Sequence, residues 1–455
     1  MNKSSSSDTQ QLILTHTQVG GEAAPNPCRR NDTPDPAPEG AFFLVNKREL
    51  IPPADTNGSQ PPTIIETHDP RTGEVIQFEM TKTGLYAPRY TREDSQNTRN
   101  DRWEMKWSLD KLLPDSPQTK CHRWVVPGKD VEIKKSLEYD KSFFTNLQCC
   151  GSVWGCPLCA PKITERRRVE VAEGMEISLS RGNDVMLSTF TVPHGMGDNL
   201  EAVLNSMLKK VWPKLSQGRS GQELRRLIRL LGTIRVLEVT YGHNGWHPHF
   251  HALLFLDGGL SPQEVEDAFW PLWLDGCIKA GLESPSRLHG CRVDDGTRAA
   301  QYVTKWGLDA ELTKGHLKRG KKSVTPWDLL RVFTFGPEDR RIDPELQELL
   351  QALKIDQKRA GALWMTFFKA FKGKRQLYWS NGLRDLLGLK KEKTDKELAE
   401  AEMDRLAALL RTLTREEHFL VVKTKSQPML LTLADDCPEL IPDFIQSLRK
   451  KGGIQ

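Results

Sequence analysis

GTIRVLEVTYGHNGWHPHFHALLFL, residues 232–256, is the stretch that decides how this chain folds and where its chemistry lies. Residues 232–241 are rich in β-branched and apolar side chains and read as one strand. Residues 247–256 read as a second, with Gly242-His243-Asn244-Gly245 as the turn between them. Setting Tyr241 against Trp246 fixes the register. Glu238 then lies opposite His249, with His251 diagonal to both. Side chains alternate along a strand, so His249 and His251 share a face and Phe250 points into the core. Two imidazoles and one carboxylate then converge, a ligand set for a divalent cation that leaves positions open for substrate. His247 shares that face, but Pro248 marks a strand start or edge, so His247 is a secondary candidate.

The flanking sequence supplies further elements. DVMLSTFTV (184–192) is β-prone and stops at Pro193. From Asp198 a helical pattern runs through Leu200, Val203, Leu204, Met207 and Val211. Ser261-Pro262-Gln263-Glu264 is a capping box that opens a helix with Val265, Phe269, Trp273 and Cys277 on one face. Residues 288–293 suggest a short strand and residues 297–306 a helix carrying Tyr302 and Lys305. Those two side chains, three apart, sit on the same helical face. A phenol titrates near 10, so a neighbouring ammonium favours the phenolate a nucleophile needs. A half-buried core tyrosine fits the same spacing.

Five of the nine cysteines fall between Cys121 and Cys159. Cys156-x-x-Cys159 with Cys150 and Cys121 offers four thiolates for a structural Zn²⁺, with Cys149 or His122 as substitutes for the distant ligand. Buried thiols are the alternative. Arg166, Arg167 and Arg168 follow at once, and Lys318 and Arg319 lie in a later basic run. Both groups are candidate DNA contacts, and solvated faces are the bland reading of such runs. The net charge of +5 is too mild to name a nucleic-acid partner alone.

These features divide the chain into a Pro/Ser-rich disordered tail (1–62), a Cys-rich segment (63–178), a mixed α/β segment (179–324) and a mainly helical C-terminal region (325–455). In the last, Thr394 and Glu397 form a capping box ahead of Leu398, Met403, Leu406, Leu409 and Leu410, which reads as a helix. No apolar run is long enough for a membrane span, and the N-terminus lacks the apolar run of a signal peptide, so a cytoplasmic protein without a membrane partner is expected. No P-loop sequence is present.

LSTFTVPH (187–194), GWHPHFHALL (245–254) and YVTK (302–305), in that order, resemble the three motifs of plasmid rolling-circle replication initiators of the HUH endonuclease superfamily, single-tyrosine type. CGSVWGCPLCAPKITERRR (150–168) and WSNGLRDLL (379–387) are similar to segments that flank those motifs. The resemblance implies an α+β fold whose central antiparallel sheet is flanked by helices. It also implies His249 and His251 as metal ligands, Glu238 as the third, and Tyr302 as nucleophile, with Mg²⁺ or Mn²⁺ as cation. The implied partners are plasmid or phage origin DNA, single-stranded at the nick, and a host helicase and polymerase. Some relatives carry a carboxylate one helical turn before the tyrosine. Here that stretch is Thr297-Arg298-Ala299-Ala300, and the nearest acids are Asp294 and Asp295. Two other readings stay open: a non-catalytic zinc-dependent DNA-binding regulator, and a histidine-triad nucleotide hydrolase. The latter matches His247-x-His249-x-His251 but has no use for Tyr302.

Overall fold

The computed structural model describes residues 64–68, 75–80, 86–88, 92–136, 140–304, 322–401 and 407–452. Strands β1 (Ile64–His68), β2 (Val75–Met80) and β3 (Tyr86–Pro88) form an antiparallel meander. Helix α1 (Arg92–Leu112), β4 (Val131–Ser136), β5 (Ser142–Thr145) and α2 (Cys159–Ser180) lead into β6 (Asp184–Thr191). The hairpin β7 (Leu230–Gly242) and β8 (Gly245–Leu256) is followed by α3 (Pro262–Lys279), β9 (Cys291–Asp294) and α4 (Gly296–Thr304). Then come β10 (Ser323–Val324), α5 (Gln357–Phe371), β11 (Leu377–Trp379), α6 (Asp395–Glu400) and β12 (Ala407–Leu413).

The long hairpin organises the main sheet, whose order is β10-β7-β8-β6-β9, with β11 also on β7. Every pairing in it is antiparallel. The register is the one read from the sequence: Tyr241 faces Trp246 and Glu238 faces His249. The turn is tighter than four residues, because Gly242 pairs with Gly245 and only His243 and Asn244 remain outside the ladder. Gly245 has φ +86, a conformation costly for other residues. A Cβ there would also lie 3.1 Å from the Gly195 carbonyl oxygen, so the hairpin end presses on the loop after β6.

Helices cover both faces of the sheet, as the α+β expectation requires. On one face Phe190, Leu237, Phe250 and Leu254 pack under Phe269 and Trp273 of α3 and Trp364 and Phe367 of α5. Phe250 is fully buried, and sequestering such a ring is worth about 2–3 kcal/mol. The expected stripe Val265, Phe269, Trp273 and Cys277 is buried, and the Ser261–Glu264 capping box forms. The Trp273 indole donates to the Thr191 carbonyl at 3.0 Å, tying α3 to the end of β6. On the other face Leu187, Ile234, Val236, Leu253 and Phe255 pack against Val171 and Met175 of α2 and Ala299 and Val303 of α4. Along that face β8 runs back from Phe255 and Leu253 to His251, His249 and His247, so core gives way to partly exposed imidazoles.

Two expectations are corrected. The strand read at 288–293 begins only at Cys291, because Leu288 is 78% exposed and pairs with nothing in the ladder. The helix read from Thr394 through Leu410 stops early. Its capping box forms, but α6 ends at Glu400, and residues 407–413 are the strand β12 paired with β4. Leu409 is 55% exposed, so its helical spacing reflected no shared buried face, while Leu413 goes into the core. The sheet β12-β4-β5 shares that core with α1 and the C-terminal helices, through Trp103, Ile133, Phe144, Leu420, Leu430 and Ile445. Among the described residues no helix is long and apolar enough to cross a membrane.

Candidate active site

Four elements meet at the exposed end of the second face. β7 contributes Glu238, β8 contributes His249 and His251, β6 contributes Thr189 and α4 contributes Tyr302. Glu238 Oε2 faces both imidazoles, 3.6 Å from His249 Nε2 and 3.7 Å from His251 Nε2. Its other oxygen, Oε1, accepts a 2.7 Å hydrogen bond from the Tyr302 hydroxyl. The far nitrogens of both rings are engaged as well. His249 Nδ1 lies 3.2 Å from the His247 carbonyl and His251 Nδ1 lies 3.0 Å from Thr189 Oγ1. A ring that donates from Nδ1 presents a bare Nε2 lone pair, which is how a protein sets an imidazole to bind a metal.

The donor set fits a divalent cation. Donor atoms each about 2.1 Å from one ion lie roughly 3.0–3.5 Å apart. The two spacings from Glu238 Oε2, 3.6 and 3.7 Å, lie just beyond that range. The three ligand atoms fall within 4.8 Å of one another, partly exposed and so reachable by a phosphate.

The rings continue past the ligands. His247 stacks on His249, with centroids 5.0 Å apart, and His194 stacks on His247 at 4.5 Å. At the other end the His251 ring lies 4.7 Å from that of Tyr302. Burial, aided by His249 and His194, pushes His247 down to about 3, so it stays neutral near pH 7. Sequence reading placed Thr189 and His194 in the 187–194 motif but gave neither a role. Thr189 was legible in principle, since strand alternation puts it on the face of β6 that meets His251.

A second cluster lies before the sheet. Cys121 Sγ is 3.4 Å from Cys159 Sγ and 3.8 Å from Cys156 Sγ, and Cys150 Sγ is 3.7 Å from Cys159 Sγ. Four sulfurs about 2.3 Å from a tetrahedral zinc lie about 3.8 Å apart, so the residues fit that ion. The four cysteines expected from spacing converge and can hold a metal ion, and His122, Cys149 and Cys159 form a second, overlapping set. His122 lies against this cluster, its Nδ1 3.1 Å from Cys121 Sγ, and burial and Lys162 push it down to about 4.

The arginine trio serves a different purpose from the one expected. Arg167 and Arg168 are 6% and 1% exposed. Arg167 pairs with Asp395 at 2.5 Å and with Glu392, and Arg168 pairs with Glu165 at 2.7 Å. Arg166 donates to the Ala401 carbonyl at 2.8 Å. Arg166 and Arg167 therefore brace the chain around α6, and Arg168 is tied to Glu165 on its own helix. Lys305, Lys318 and Arg319 lie outside the described residues. Asp295, one of the acids nearest Tyr302 upstream, caps the first turn of α4 through the Arg298 amide at 3.2 Å, and Asp294 pairs with Arg292.

Residues 142–273 match the family described as "Replication protein". That segment holds Cys150, Cys156, Cys159, Glu238, His249 and His251 and ends before Tyr302. The chain is 25% identical over 304 residues to "Protein rep" of Streptomyces lividans, covering 54% of this chain and 65% of that protein. It is 29% identical over 208 residues to "Neomycin resistance protein" of Streptomyces cyanogenus, covering 38% of this chain and 48% of that protein. It thus spans from about half to just under two thirds of these relatives' length. No solved structure matches it.

Proposed function

We propose, from the premise that residues 142–273 are a domain of the replication protein family, that this chain initiates rolling-circle replication. In this reading Tyr302 nicks single-stranded origin DNA of a plasmid or phage. The observation that carries the reading is the Tyr302 hydroxyl bonded at 2.7 Å to Glu238, whose second oxygen faces His249 and His251.

Glu238, His249 and His251 would hold the cation, Mg²⁺ or Mn²⁺. When bound, that ion supplies positive charge against the charge that builds on the scissile phosphate. Glu238 Oε1 takes the phenolic proton along the existing hydrogen bond. The Tyr302 oxygen forms a bond to phosphorus, and the bond from phosphorus to the 3′ oxygen breaks. That oxygen leaves with a proton from solvent as a free 3′-OH, and the 5′ phosphate remains on Tyr302. The 3′-OH primes a host polymerase behind a host helicase. Attack of a 3′-OH on the phosphotyrosine reverses the step and religates the ends at termination. A stacked duplex cannot lay its backbone along this row of side chains, so the strand must be unpaired. The work belongs in the cytoplasm, where a plasmid resides. Zinc at Cys121, Cys150, Cys156 and Cys159 completes the set of metals as a structural ion.

The test is direct. Protein, single-stranded origin DNA and Mn²⁺ are mixed and run on a denaturing gel. A covalent protein–DNA adduct is expected, and it must vanish in Tyr302→Phe. An adduct that survives that change overturns the assignment. Origin binding with no adduct at all favours a non-catalytic regulator.

A further inference from the structure

Resting on the reading that this site takes single-stranded DNA, we propose that His194 is the outer plate of a stacking platform. It receives an unpaired nucleobase of a nucleotide next to the scissile phosphate.

The rings form one unbroken row. Tyr302 meets His251 at 4.7 Å, and His251 meets His249 edge-on at 5.0 Å. His249 meets His247 at 5.0 Å with planes 29° apart, and His247 meets His194 at 4.5 Å with planes 15° apart. The last two steps are stacked, so the row turns from edge contact at the ligands to parallel plates at its far end. His194 lies two ring spacings beyond His249, on the path of a strand whose phosphate sits between Tyr302 and the imidazoles. Single-stranded nucleic acid is held on such plates because every base has a flat face, and histidine serves as one.

The plate is set in place before any strand arrives. The Gly195 amide donates to Asp198 Oδ2 at 2.7 Å, closing the loop that carries His194. The close approach of Gly245 to the Gly195 carbonyl backs that loop against the hairpin. Met196 beside it is 59% exposed, with its sulfur accepting from the Tyr241 hydroxyl at 3.8 Å.

The full chain carrying Tyr302→Phe, with chelator present, is titrated into a fluorescein-labelled mixed-sequence single strand and followed by anisotropy. Adding His194→Ala should weaken binding about 10-fold or more, and His194→Tyr should restore it. Unchanged affinity in His194→Ala, or equal loss in both variants, overturns the platform. Mn²⁺ binding by the same proteins, read by electron paramagnetic resonance, should not move. If it falls while strand affinity holds, the row only braces His249 and the proposal fails. Should the parent protein not bind the strand at all, the nuclease reading falls with it. Intact adduct formation beside a silent His194→Ala overturns the platform alone.

Discussion

The Tyr302 hydroxyl donates to Glu238 Oε1 at 2.7 Å, while Glu238 Oε2 faces the Nε2 atoms of His249 and His251. One carboxylate therefore reaches the proposed attacking atom with one oxygen and the two proposed imidazole ligands with the other. Removing its charge should damage both functions. Glu238→Gln keeps the shape and a weaker acceptor, so adduct formation on single-stranded DNA should fall about 10²–10⁴-fold. His249→Ala should fall at least as far and should recover no activity at raised pH. Glu238→Gln should recover part of its loss at alkaline pH, where solvent can take the phenolic proton. A flat pH profile for Glu238→Gln would remove the base role and leave only the metal role.

The convergence of Glu238, His249 and His251 was legible because a hairpin is a local object. Once Tyr241 is set against Trp246, the ladder spacing puts Glu238 opposite His249 with no further information. The four cysteines were legible for a similar reason, since metal-ligand spacing is written along the chain. Long-range pairings were not. Nothing in residues 407–413 says that their partner is β4, about 270 residues earlier in the chain, and an exposed Leu409 mimics a helical repeat. The arginine trio failed for the same reason. The acceptors of Arg167 and Arg166, Asp395 and the Ala401 carbonyl, lie more than 220 residues away, and Arg168 is buried against Glu165 on its own helix.

Arg167 offers a clean separation of brace from DNA contact. It is 6% exposed and paired with Asp395 and Glu392, so Arg167→Ala leaves carboxylates facing a void. Breaking a buried pair by removing one partner costs about 3–5 kcal/mol, and the partly exposed acids here put the expected loss at the lower end. Urea denaturation should show a reduced midpoint. The salt dependence of origin binding by the protein that stays folded should keep its slope. A slope that drops by about one would return Arg167 to the list of phosphate contacts.

His418 sets an acid limit on the C-terminal core. It is 5% exposed, its Nε2 finds no hydrogen-bond partner among the described residues, and burial pushes its pKa below the ordinary 6.5. The unfolded chain therefore binds a proton that the folded chain refuses. Stability is full above the unfolded value and falls as pH drops through it. Denaturation midpoints measured at neutral and at mildly acidic pH should differ in the unmutated protein. In His418→Leu that difference should shrink. An identical pH response in the two proteins would assign the acid sensitivity elsewhere.

The cysteine cluster and the C-terminal strand are joined through α6. Leu398 and Ala399 pack among Cys121, Cys156 and Cys159, and Cys149 Sγ lies 3.6 Å from the Ala399 carbonyl. Gly151, at φ +62, comes so close that a Cβ there would sit 2.8 Å from Lys396 Cα. Metal at the cluster should thus hold α6 in place and deliver β12 to β4. Purified protein should carry one zinc that His249→Ala leaves in place and Cys156→Ser loses. Stripping the zinc should speed amide exchange in residues 407–413 by about tenfold or more while the β7–β8 hairpin stays protected. Gly151→Ala should loosen the same residues with the zinc still bound, because its clash is with the docked helix and not with a ligand. Zinc-free protein with an unchanged β12 would separate the ion from the strand. A preparation that never contains zinc would return the four cysteines to the core.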